Sequence, residues 1–110
     1  MKWQDLVEIL ARHVPHGKIT TYAEVSEWGY GKRSFNQPVR SLLTGAANKG
    51  FTKLTNRVIS SDGSLADLPE GQDQQRKQLI AEGLMKSDEF TVNLDQHRPV
   101  KLPSSQSGAA

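Results

Sequence analysis

The chain has 110 residues, enough for one domain with a single core and too few for two. It contains no cysteine, which excludes a disulfide framework, a cysteine-ligated zinc site and a cysteine nucleophile or alkyl acceptor. The net charge of +2 conceals a split: residues 1–58 carry nine Lys/Arg against four Asp/Glu and residues 59–110 five against eight, so the basic half points to an anionic partner, most commonly nucleic acid.

Trp3, Leu6, Val7, Leu10 and Val14 recur at helical spacing, which predicts a helix over residues 3–14 with one apolar stripe. Pro15 and Gly17 stop it. A second helix is expected from Thr21-Tyr22-Ala23-Glu24, a capping-box pattern, with Val25 and Trp28 buried and Gly29-Tyr30-Gly31 at its end. Lys32-Arg33-Ser34-Phe35 reads as a basic turn. Asn36 then caps a third helix, with Pro38 in its first turn. Val39, Leu42, Leu43 and Ala46 form its apolar face, while Gln37, Arg40, Ser41 and Thr44 lie opposite. That polar stripe is either a DNA-contacting face or an ordinary solvated one.

Leu54–Ile59 followed by Ser61-Asp62-Gly63-Ser64 predicts a β-hairpin turning on Asp-Gly. Residues 65–71 read as a loop, Gln72–Glu82 as a fourth helix anchored by Leu79 and Ile80 and stopped at Gly83, and Phe90–Leu94 as a strand. From Pro99 onward the chain is small and polar, so residues 99–110 are expected to be a disordered tail to a domain spanning 1–98. Three helices and a hairpin are the order of a winged helix-turn-helix. The expected class is therefore α+β, mainly helical, with a small β wing. No run approaches the roughly 20 apolar residues of a bilayer span, and charges interrupt the N-terminal apolar stretch, so no membrane association is expected. His13, His16 and His97 show no metal-ligand spacing and are expected at the surface, with no metal or other cofactor.

Three ordered blocks carry a family resemblance. Val14-Pro15-His16-Gly17-Lys18-Ile19-Thr20-Thr21-Tyr22-Ala23-Glu24-Val25 is similar to the "IPxGKVTTYGEIA" segment of the C-terminal domain of O6-alkylguanine-DNA alkyltransferases. Leu54-Thr55-Asn56-Arg57-Val58-Ile59 resembles the "PCHRVI" active-site segment of that family. Gln75-Arg76-Lys77-Gln78-Leu79-Ile80-Ala81-Glu82-Gly83-Leu84 resembles its "QR..LL..EGV" helix. The departures carry as much information as the matches. Thr55 stands at the acceptor-cysteine position, Asn56 at the proton-relaying histidine, and Leu54 at the proline. A Thr hydroxyl without a base is a far weaker nucleophile than a thiolate, so alkyl transfer is excluded and no enzyme is expected.

The pattern resembles the alkyltransferase-like proteins, which keep the fold and lesion pocket without the cysteine, bind alkylated DNA and mark it for repair. The resemblance implies a monomeric, cytoplasmic or nucleoid-associated protein. It would bind double-stranded, alkylated DNA, flip an O6-alkylguanine-type base and signal to repair proteins. It implies DNA contacts from Tyr22, Gln37 (at the family's intercalating arginine), Arg40, Ser41 and Thr44. The implied lesion pocket comprises Tyr22, Thr55, Asn56 and Arg57, with Glu82 a structural relic of the relay. The alternative is a winged-helix DNA-binding or protein-interaction module that has lost lesion recognition.

Overall fold

The computed structural model describes residues 2–65 and 71–103. Helix α1 (Trp3–His13) opens with the Asp5 carboxylate accepting the Lys2 backbone N–H at 3.1 Å, and buries Leu6 and Leu10 completely. Gly17, at φ +85°, turns the chain into strand β1 (Thr20–Thr21), which runs directly into α2 (Tyr22–Tyr30). Thr21 caps α2 by accepting the Glu24 N–H at 3.2 Å. The other half of the expected capping box is diverted. The Glu24 carboxylate accepts from Arg33 at 2.9 Å and from the Leu102 N–H at 3.3 Å, a cation and a distant backbone donor outcompeting the local one.

Gly31, in the left-handed region at φ +74°, closes α2. The connection to α3 (Asn36–Asn48) is held by the buried Ser26, whose hydroxyl donates to the Lys32 carbonyl and accepts the Phe35 N–H. Phe35 rather than Asn36 occupies the cap, and Pro38 falls in the first turn, where its missing N–H costs nothing. Val39, Leu42, Leu43 and Ala46 are buried as their spacing predicts. At Gly45 the helix backbone comes close to Trp3, so that a Cβ there would sit 3.4 Å from the Trp3 Cβ.

The segment expected to be the first arm of a hairpin is not one. Residues 52–55 form a short helix α4 (Thr52–Thr55), which buries Thr55, and only β2 (Val58–Ile59) is extended. β2 pairs in parallel with β1, Thr20 opposite Val58 and Thr21 opposite Ile59. The Asp-Gly turn does form, with the Gly63 N–H donating to the Ser60 carbonyl at 3.0 Å and the Ser60 N–H to the Ser64 carbonyl at 2.9 Å. Its outgoing side meets Val92, whose N–H donates to the Gly63 carbonyl at 2.9 Å, and the expected strand at 90–94 is reduced to one bridge, Ser64 to Thr91. The β element is thus a parallel pair across the chain rather than a hairpin wing. The class is nonetheless mainly helical α+β.

Helix α5 (Gly71–Ala81) ends in paired bonds from the Leu84 N–H to the Leu79 carbonyl and from the Gly83 N–H to the Ile80 carbonyl, with Gly83 at φ +78°. This is a Schellman motif, and Leu79 and Leu84 complete it by packing in the same apolar cluster. The core has two such clusters. One joins α1, α2 and α3 to Val58; the other holds Ile19, Ile59, Leu65, Leu79, Leu84, Met85 and Val92. The alternation of β2 explains the division, since adjacent residues on a strand face opposite ways. The expected tail begins differently from its composition. The Val100 N–H donates to the Ile19 carbonyl at 2.7 Å, its carbonyl accepts the Thr20 hydroxyl at 2.8 Å, and Leu102 is buried in the first cluster. One backbone bond at Ile19 and one from the Thr20 hydroxyl hold, beside β1, a polar segment that composition alone leaves unattached. Residues 104–110 lie outside the described residues.

Candidate nucleic-acid interface

Two clefts flank the segment 54–60, and they have no lining residue in common. The first, about 430 Å3, opens where α2, α3 and the turn after β2 meet. Asn36 and Arg40 reach it from one face of α3, being four residues apart, and Ser60, Ser61 and Asp62 reach it from the turn. Tyr22 enters from the first position of α2, with most of its ring held in the larger apolar cluster. The Ser64 backbone N–H donates to Asp62 Oδ1 at 3.0 Å and holds that carboxyl below its ordinary value. The cleft therefore combines a cation, hydroxyls, an amide and a carboxylate around the edge of an aromatic ring.

The other residues expected to touch DNA spread over α3. Gln37 is exposed, Thr44 is half-buried, and Ser41 opens on the far side into a groove beside Trp3, Tyr30 and Pro38. The basic turn before α3 is partly neutralised, because Arg33 bonds Glu24 at 2.9 Å and Glu27 at 2.6 Å. Lys32 sits 5.8 Å from the centre of the exposed Phe35 ring.

The expected pocket residues do not converge. Thr55 is completely buried, its hydroxyl donates to the Thr52 carbonyl at 3.3 Å, and it lines neither cleft. Asn56 and Arg57 instead line the second cleft, about 800 Å3, between α4 and α5. Beneath it lies a hydrogen-bonded floor. Arg57 grips the Glu82 carboxylate at 3.0–3.1 Å and donates to the Val14 carbonyl at 3.2 Å. Glu82 also accepts the Gly17 N–H at 2.8 Å and the Gln78 amide at 2.9 Å. Burial pushes the Glu82 carboxyl up, but the hydrogen bonds from Arg57, Gly17 and Gln78 outweigh it and hold the group below its ordinary range. Gln78 bridges onward, accepting from Asn56 Nδ2 at 3.0 Å. Beside them the buried Gln75 donates to the Asn56 and Val58 carbonyls, both at 3.0 Å, locking the turn between α4 and β2.

Sequence reasoning missed Asn36, Ser60, Ser61 and Asp62 in the first cleft and Lys53, Gln74, Lys77 and Gln78 in the second. The four-residue spacings Asn36–Arg40 and Gln74–Gln78 are signals in the sequence, but each gains meaning only when a distant turn is brought opposite.

No protein-family model matches the chain. The chain is 29% identical over 85 residues to a DNA base-flipping protein of Escherichia coli and, at the same identity, to a DNA base-flipping protein of Shigella flexneri. The alignment covers 77% of this chain and 64% of each relative, so the chain spans a little under two thirds of their length.

Proposed function

We propose that this chain is a non-enzymatic DNA-binding protein that holds a flipped O6-alkylguanine-type base and marks the site for repair proteins. The observation that carries the reading is the first cleft, where Tyr22 and Arg40 meet at the α2–α3 junction, taken with the similarity to base-flipping proteins. A base held against the Tyr22 edge leaves its phosphate toward Arg40, while Asp62 and the serines accept from its exocyclic amine. Helix α3, with Gln37 and Arg40 exposed, lies along the groove as the second helix of a helix-turn-helix.

Chemistry on the base is not part of this proposal. The Thr55 hydroxyl is buried and committed to the Thr52 carbonyl. Where the resembled enzymes relay a proton from histidine to glutamate, this chain leads to Glu82 through two amides, Asn56 and Gln78, which do not ionise in the working range. The domain comprises residues 1–98 together with the docked 100–102 segment, and acts as a monomer in the cytoplasm.

A second reading has one specific observation in its favour. Tyr22 and Arg40 lie in one cleft while Asn56 and Arg57 lie in another, an arrangement that suits a DNA-binding module without lesion preference. Equilibrium titration of duplexes containing guanine or O6-methylguanine separates the two. The proposal expects at least tenfold tighter binding to the lesion duplex, with Arg40→Ala removing most of that preference. Equal affinities at physiological salt favour the second reading, and no binding to either duplex at low salt rejects both.

A further inference from the structure

We propose that the second cleft, between α4 and α5, is a docking site for an acidic peptide segment of a partner protein. The proposal is independent of the DNA reading. Lys53 and Lys77 are both exposed and rim the cleft, and His16 lines it as well. The cationic Arg57 beneath them is already matched by Glu82, so the charge left for a ligand is that of the two lysines. A cleft of about 800 Å3 is large enough for several side chains, and its rim favours carboxylates.

The floor favours a ligand that brings N–H donors over a bare phosphodiester backbone. Asn56 is 5% exposed, and its Oδ1 is a buried acceptor with no hydrogen-bond partner in the structure, although its Nδ2 donates to Gln78. An unsatisfied buried acceptor is a standing cost to the fold, and a ligand that brings a donor removes it. A phosphodiester backbone carries acceptors only. A peptide carries carboxylates for Lys53 and Lys77 and N–H donors for Asn56 Oδ1. The oxygen is shielded from water, so an incoming N–H reaches it only as neighbouring side chains move aside. Among the lining residues no Trp, Tyr or Phe is present and His16 carries the one aromatic ring, a smaller stacking platform than single-stranded nucleic-acid grooves use.

The test uses a fluorescein-labelled peptide of alternating glutamate and serine, a control of alternating glutamine and serine, and the glutamate peptide with N-methylated backbone. Anisotropy titrations with the full chain are expected to show binding of the first peptide only. The Lys53→Glu/Lys77→Glu variant, altered at exposed positions, weakens it at least tenfold, and backbone methylation weakens it about threefold or more. In NMR titration the side-chain amides of Asn56 and Gln78 shift, while Tyr22 and Asn36 do not. Absence of binding, equal binding of the glutamine control, or indifference to the double charge reversal overturns the proposal. So does displacement of the peptide by duplex DNA together with loss of duplex binding in the variant, which assigns the cleft to nucleic acid.

Discussion

Arg57 and Glu82 are 25 residues apart and nearly excluded from solvent, with side-chain exposures of 11% and 4%. Such a pair contributes little over a well-packed apolar replacement, but removing one partner strands the other's charge. Arg57→Ala is therefore expected to destabilise the chain by about 3 kcal/mol in urea denaturation. The pH dependence follows from the direction of the Glu82 shift. Its carboxyl is held below the usual value near 4.5, so its stabilisation is complete above that value and is lost as pH falls through the lower folded-state value. Glu82→Gln should flatten the acid limb of a stability-versus-pH curve measured by thermal melts, leaving the neutral region lower throughout. At this scale the sequence was informative where residue type limits the choices: Arg57 and Glu82 stand out by resemblance. Asn56, by contrast, reads as a lost histidine, and nothing local says that Gln78 would bridge it to Glu82, because that contact depends on how α5 docks.

Elements were legible where their signals are local. The stripes of α1 and α3, the Thr21 cap and the Gly83 stop all lie within a few residues of what they control. The β structure is not legible in this way, because Asp-Gly specifies a turn but not which strand its far arm meets. Gly63 and Gly83 provide a paired test. Both have positive φ, at +92° and +78°, but a Cβ on Gly63 would lie 2.5 Å from the Val92 carbonyl oxygen, whereas one on Gly83 would meet nothing within 4 Å. Gly83→Ala should cost about 1 kcal/mol, the backbone term alone. Gly63→Ala should cost about 2 kcal/mol or more, since the turn must also move away from Val92. Chemical denaturation of the two variants measures the difference. Equal losses would mean that the turn yields freely.

Over the whole molecule, the parallel β1–β2 pair divides the apolar interior; the turn that enters β2 lines the second cleft through Asn56 and Arg57, and the turn that leaves it lines the first through Ser60, Ser61 and Asp62. The charge asymmetry noted in the sequence only partly survives folding as a surface property, since Arg33 and Arg57 are engaged by carboxylates. The docked segment 100–102 is the clearest case of a feature that composition conceals: Val100 and Leu102 sit among polar neighbours, yet Leu102 reaches the main cluster. Leu102→Ala should lower stability by about 2 kcal/mol, read as a shift of the thermal midpoint.

That docking also sets an order of events during synthesis. The Thr20 hydroxyl and the Val100 carbonyl it bonds are 80 residues apart. At about 5–20 residues per second, a ribosome needs about 4–16 s to make the intervening chain, and further residues before Val100 leaves the exit tunnel. Throughout that interval the open edge of β1 and the Leu102 position in the main cluster remain exposed to other extended segments. The nascent chain is thus open to mispairing at the root of α2, the element that delivers Tyr22 to the first cleft.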